Sequence, residues 1–218
     1  MLNHQTCDKL SEMKLSSMAR EFHRQIESAD TASLSFEERF GMITDAEWTS
    51  RQNSRLQRLL RFAAFRIPEA CLEDLDYEPA RKLDRGCVSR LADCAWCREY
   101  RNLIITGATG TGKTYLTCAF GNAACRRGLK VRYYRMNRLL TDLSVGRGDG
   151  SYNRIMQTLM KSDLLILDDW GMSVLDPVAA RDLLEVVEDR FGRASTIISG
   201  QLPVSEWHAL FEDSTCKW

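Results

Sequence analysis

"GATGTGKT", Gly107–Thr114, follows the short apolar run "NLIIT" and precedes a stretch of helical character. It matches the spacing G-x-x-x-x-G-K-[ST], with a strand before it and a helix after it. Gly107, Gly110 and Gly112 permit a main chain whose successive amides point inward at a phosphate. Ala108, Thr109 and Thr111 complete that cradle, and Tyr115 follows it. Lys113 is then expected to reach the β- and γ-phosphates, and Thr114 to place its hydroxyl on Mg²⁺. The amino end of the helix adds partial positive charge. ATP and Mg²⁺ are the cofactors implied; the bland alternative is a glycine-rich turn that merely opens a helix.

Outward from the loop, strands alternate with helices. "KVRYYR", "LLILDD" and "STIISG" read as further short strands, and a helix is expected from Lys113 to about Arg127, closed by Gly128 in the left-handed conformation. "DPVAARDLLEVVEDRFG" has Asp176 as helix N-cap, Pro177 in the first turn and Gly192 beyond the end. Near-continuous apolar strands in such an alternation predict a parallel sheet with helices on both faces. Upstream, residues 1 to about 100 read as helical. Leu10, Met13, Met18, Phe22 and Ile26 fall on one helical stripe, and Ser35–Glu38, "SFEE", forms a capping box. A long helix is expected from Phe36 to about Arg66, stopping before Pro68. The domains expected are therefore a small all-α domain over 1–100 and an α/β P-loop core over 101–218.

Composition bounds the rest. Of 218 residues, 44% are hydrophobic and 28% charged, with 30 basic and 30 acidic side chains, so total charge favours no partner. No apolar run approaches a membrane span, and "MLNHQTCDKL" lacks the apolar region of a secretory signal. The scattered cysteines read as reduced thiols of a cytoplasmic protein. "CAWC", Cys94–Cys97, lacks a second ligand pair for zinc and reads as packing around Trp96.

Two further elements carry chemistry. A buried strand ending in a carboxylate can hold Mg²⁺, and Asp168 at the end of "LLILDD" fits that role. Asp169 stands where P-loop ATPases of the AAA+ type carry an acid that orients the attacking water; capping the next turn is its alternative. In the same ATPases a polar residue at the tip of the following strand senses the γ-phosphate. Gln201 is the first choice here and Ser199 the second. For nucleic acid there are two basic features. Arg51, Arg55, Arg58, Arg61 and Arg66 fall on one face of the long helix, and Leu56, Leu59, Leu60 and Ala63 on another. Arg126, Arg127, Lys130, Arg132, Arg135 and Arg138 form a run without an acid, within which Tyr133 and Tyr134 alternate, so that at most one could face DNA. A solvated face, or pairing with the acids of "EDLDYE", is the alternative for both.

"GATGTGKTYLTCAFGNAACRRGLKVRYYR", "DLLILDDWGM", "VVEDRFGRASTIISGQLPVSEWH" and "SFEERFGMITDAEWTSRQNSRLQRLLRFA" together resemble the IstB-type ATP-binding helpers of insertion-sequence transposition, over about Leu10 to His208. These are similar in turn to DnaC-type helicase loaders, which share the AAA+ core. The resemblance implies an ATPase that binds double-stranded DNA as a homo-oligomer and assists a partner transposase. It implies the same roles for Gly107, Gly110, Gly112, Lys113, Thr114, Asp168 and Asp169. Family members continue into a helical lid with an arginine finger and a sensor arginine. This chain ends at "EDSTCKW", so a missing lid and weak hydrolysis are expected. A helicase loader, a small-molecule kinase and an inactive nucleotide-binding fragment stay open as alternatives.

Overall fold

The computed structural model describes residues 2–31, 33–78, 83–172 and 175–210. The stretch after Leu210, on which the expectation of a missing lid rests, lies outside the described residues. The chain divides into two compact units, 1–57 and 58–218.

The first unit is helical. The stripe expected over Leu10–Ile26 is interrupted: α1 (Leu2–Glu12) and α2 (Ser16–Glu27) are separate helices. Lys14 adopts a left-handed φ of 60°, and the Leu15 amide closes back on the Leu10 carbonyl at 2.8 Å. The turn removes Met13 from the stripe and leaves it 65% exposed. α2 lacks a side-chain cap of its own. Glu47, on α3 (Phe36–Ala63), supplies one: its Oε2 accepts from the Ser17 amide at 3.0 Å and the Met18 amide at 3.2 Å. A carboxylate there satisfies orphan amides and opposes the helix dipole. The other oxygen accepts from Arg51 Nε at 2.7 Å. α3 itself opens with the reciprocal capping box: Ser35 N donates to Glu38 Oε2 at 2.8 Å and Glu38 N to Ser35 Oγ at 3.2 Å.

In the second unit α3 ends at Ala63, short of the expected Arg66, because Ala64 turns left-handed with φ 54°. The turn sends Phe65 into the core beside Gly121, where an added Cβ would lie 2.4 Å from the ring. Short helices α4 (Arg85–Leu91) and α5 (Ala95–Arg98) lead to β1 (Leu103–Thr106). Then come α6 (Lys113–Arg126), β2 (Val131–Arg135), α7 (Met136–Asp149), α8 (Tyr152–Met160), β3 (Leu164–Trp170), α9 (Pro177–Arg190) and β4 (Ser195–Gly200). All four strands pair in parallel, in the order β1-β4-β3-β2. Residues 58–100 thus belong to the compact unit of the sheet, although the sequence pattern changes only at about residue 100.

Leu164, Leu165, Ile166 and Leu167 are fully buried, as a strand covered on both faces requires. Leu165 and Leu167 join a cluster with Leu139, Leu143, Leu159 and Leu183 from α7, α8 and α9. Ile166 faces the other way, against Gly121 of α6. Asp176 caps α9 by accepting from the Val178 and Ala179 amides, with Pro177 at its first position. Gly128 and Gly192 carry φ values of 82° and 65° after their helices.

The last residue of α9 is a buried arginine that forms no ion pair among the described residues, although Asp163 lies near enough to favour its charge. Arg190 is 2% exposed and donates to the carbonyls of Leu159, Ser162 and Ser195 and to Thr196 Oγ1. Burial lowers its pKa to about 10, so it is still a cation at neutral pH. It satisfies carbonyls at the carboxyl end of α8, where the helix dipole favours positive charge.

Arg190→Leu should lower stability by about 3 kcal/mol, since it orphans buried carbonyls; a change below about 1 kcal/mol in denaturant unfolding would contradict this account. Hydrogen bonding to Arg51, then to the α2 amides, holds the Glu47 pKa below its ordinary 4.5. A depressed carboxylate stabilises above its unfolded value and loses that contribution as pH falls through its folded value. Exchange protection of the Ser17 and Met18 amides, corrected for intrinsic rates, should therefore drop below pH 4.5. In Glu47→Gln that protection should already be weakened at neutral pH, and equal protection in the two proteins would exclude the cap.

Candidate functional site

The carboxyl ends of β1 and β3 and the amino end of α6 meet on one edge of the sheet. Ligands of open α/β sheets bind outside the carboxyl ends of the strands. The loop from Gly107 to Gly112 turns there, with positive φ at Gly110 (81°) and Gly112 (87°), conformations costly for any other residue. Thr111 Oγ1 donates to the Ala108 carbonyl at 2.9 Å, which braces the loop from within. Lys113 Nζ lies 2.7 Å from the carbonyls of both Gly107 and Ala108, and so spans the mouth of the cradle. Thr109 is exposed. The Tyr115 hydroxyl lies 3.4 Å from the Cys71 backbone nitrogen and oxygen. A cavity of about 570 Å³ adjoins the loop, lined also by Asp74, Leu75, Asp76, Leu83, Tyr115 and Leu116. Its size suits a nucleotide-sized ligand.

Asp168 is the junction of the site. It is 1% exposed, and its Oδ2 accepts from Thr114 Oγ1 and Tyr133 Oη, both at 2.8 Å. Its Oδ1 accepts from Ser199 Oγ. Among the described residues no cation pairs with it, so a buried negative charge rests on three hydroxyls. That donor set fits Mg²⁺: hard oxygen ligands, one of them charged, beside a phosphate cradle. Thr114 and Asp168 are the residues that would hold it. Burial and the neighbouring carboxylate push the Tyr133 phenol well up, so it stays a protonated donor.

Asp169 is held apart from this junction. It takes a left-handed φ of 61° at the point where the β3–β4 register shifts. Its Oδ2 accepts from Arg135 at 2.8 Å (Nε) and 2.7 Å (Nη2), and Arg66 Nη1 stands 3.9 Å away. The hydrogen bond to Asp169 raises the pKa of Arg135. Gln201 is exposed, with its amide nitrogen 3.2 Å from the Met172 sulfur; Ser199, the second choice for that role, is the residue that reaches Asp168.

Of the basic residues, Arg58 and Arg61 are exposed on α3, as is Arg55. Arg51 is tied to Glu47 and to the Lys14 carbonyl. Arg66 has left the helix and with it the arginine face. Arg126 pairs with Glu73 of "EDLDYE" at 3.1 Å. Arg132 is half-buried, donates to the Phe62 carbonyl at 2.7 Å and lies over the rings of Phe62 and Tyr134. Neither tyrosine of β2 faces solvent: Tyr133 turns to Asp168, and Tyr134 joins the cluster beneath α7. Cys94 and Cys97 are buried, and the Trp96 and Cys97 carbonyls lie 3.5 and 3.4 Å from Ser195 Oγ. No group of three or more His, Cys, Asp or Glu side chains that could hold a metal ion is found among the described residues. No helix among them is long and apolar enough to cross a membrane.

Comparison with known proteins gives one answer for the whole chain. A relative from Pseudomonas fluorescens, named for the insertion sequence IS1162 and for ATP binding, is 45% identical over all of this chain and 94% of its own length. Another, an insertion sequence ATP-binding protein by name, from Sinorhizobium fredii strain NGR234, is 45% identical over 99% of this chain and 87% of its own. Among solved structures, a DnaC helicase loader superposes with a TM-score of 0.56 at 20% identity, over 64% of this chain and 82% of that one. DnaA from Aquifex aeolicus bound to AMPPCP reaches 0.58 at 22% identity, over 64% and 44%. These two likenesses, at 20% and 22% identity, show the fold alone: a parallel sheet with helices around a phosphate-loop core. The family model described as IstB-like ATP binding protein matches residues 8–217, and the chain belongs to that family.

Proposed function

We propose that this protein is the ATP-dependent helper of an insertion-sequence transposase, a cytoplasmic ATPase that assembles on double-stranded DNA and assists its partner. The observation that carries the reading is the junction of Thr114 and Asp168 beside the glycine cradle, in a chain whose 45%-identical relatives are named for insertion sequences and ATP binding. Those names favour the transposition helper over a helicase loader, for which the likeness is one of fold.

In this reading the Gly107–Gly112 amides and Lys113 hold the phosphates of ATP. Lys113 exchanges its two carbonyl partners for phosphate oxygens, so its charge is already positioned at the cradle before ligand arrives. Bound Mg²⁺ supplies charge neutralisation across the phosphate oxygens. Asp169 orients the attacking water, which requires it to exchange Arg135 for that water. Arg135 is 51% and Asp169 26% exposed, so water competes for the pair and the exchange is energetically accessible. Arg55, Arg58 and Arg61 contact the DNA backbone, where phosphate contacts give affinity without base reading. Arg51, Arg132 and Arg135 contribute by exchanging their internal partners, and a homo-oligomer on DNA brings several such helices to one duplex.

Lys113→Ala should weaken ATP binding by about ten- to a hundredfold, the value of a charge-assisted contact of about 1.5–3 kcal/mol; unchanged binding of a fluorescent ATP analogue would refute the cradle assignment. Asp169→Asn should leave that binding intact and slow DNA-stimulated phosphate release by about a hundredfold or more. A variant that hydrolyses at the wild-type rate would remove Asp169 from the chemistry. Double charge reversal, Arg55→Glu with Arg58→Glu, should weaken DNA binding and flatten its salt dependence without altering ATP binding. An unchanged salt slope would exclude that helix face.

A further inference from the structure

Tyr133 stands outside every role assigned so far, yet its hydroxyl ends on the most buried acid of the site. It lies on β2, paired in register with Ile166 of β3, and points to the face on which Ile166 meets α6. The phenol meets Asp168 Oδ2, the same oxygen that accepts from Thr114 at the start of α6.

We propose that Tyr133 is a positioning residue for the metal-holding carboxylate. The proposal rests on the reading of Asp168 as the Mg²⁺ carboxylate and deepens it. An ionised carboxylate offers about four acceptor positions, two on each oxygen. Thr114 and Tyr133 fill both positions on Oδ2, and Ser199 fills one on Oδ1. Among the described residues, one position remains, on Oδ1. With Oδ2 held from two elements, the carboxylate cannot rotate to offer either oxygen indifferently. Tyr133 decides which oxygen is left for the metal or its water.

The tyrosine suits this task better than a serine or threonine at the same place would. Its ring is buried, 6% exposed, and spans the distance from β2 to the end of β3, so the hydroxyl is delivered by a rigid lever with two rotatable bonds. Ser199 does the same from β4, on the opposite side of β3 in the sheet. The acid is braced from both neighbouring strands. Partners of metal ligands placed in this way typically change metal affinity by about ten- to a hundredfold when removed.

The test is Tyr133→Phe in the full chain, which keeps the ring and removes one donor. Binding of a fluorescent ATP analogue is measured in EDTA and then as Mg²⁺ is titrated, with Tyr134→Phe, on the same strand, as the control. The expected result is unchanged affinity in EDTA, a Mg²⁺ midpoint raised about tenfold in Tyr133→Phe, and a wild-type curve for Tyr134→Phe. Superposable Mg²⁺ curves for Tyr133→Phe and wild type would overturn the proposal. So would an equal shift in Tyr134→Phe, or a Tyr133→Phe chain that loses affinity in EDTA or fails to fold, because each marks a packing role. If the wild-type protein binds the analogue with no response to Mg²⁺, it is the underlying reading of Asp168 that fails, and the two failures are told apart by that curve alone.

Discussion

A single buried carboxylate organises the nucleotide-binding half of this molecule. Asp168 is removed from water at the end of a strand that is itself covered on both faces. A charge in that position is tolerable only when its oxygens are hydrogen-bonded. The three donors come from three different elements: Thr114 from α6, Tyr133 from β2 and Ser199 from β4. Satisfying one acid therefore sets the height of the central helix against the sheet and the relative positions of three strand ends. The glycine loop inherits its place from the same arrangement, because Thr114 is the second residue of the helix that the loop opens.

The other acid, one residue on, shows how little sequence distance is needed to separate two environments. Asp168 is dry, and its partners are neutral hydroxyls. Asp169 is partly solvated, and its partners are guanidinium groups. A buried charge with uncharged partners is suited to a divalent ion, whereas a wet one with cationic partners can trade them. The separation comes from a register shift between β3 and β4, which turns the second acid out of the sheet.

The phosphate loop, the parallel sheet, the capping box at Ser35 and the Asp176 cap were legible because each is set by local chemistry and short spacing. The interruption at Lys14 was not: apolar spacing continues across it, and only the backbone reversal at that residue breaks the stripe. Arg66 left the arginine face for the same kind of reason, a left-handed Ala64 that no side-chain pattern announces. Alternation along β2 allows at most one of Tyr133 and Tyr134 to face DNA and leaves the other to pack, but it does not tell what Tyr133 packs against. Its true neighbour, Asp168, lies on another strand, and strand register is a long-range property that periodicity does not encode. Ser199 was named only as the second choice for sensing, behind Gln201; which of them reaches the acid depends on where β4 stops relative to β3.

The left-handed backbone at position 169 has a consequence for which amino acids can stand there. Among residues other than glycine, aspartate and asparagine tolerate that conformation best, since a short polar side chain can bond locally. A glutamate would carry the same charge with a longer reach, but would begin from a less favourable backbone and would overshoot Arg135. The choice of acid at this position is thus constrained by main-chain geometry before its charge comes into play.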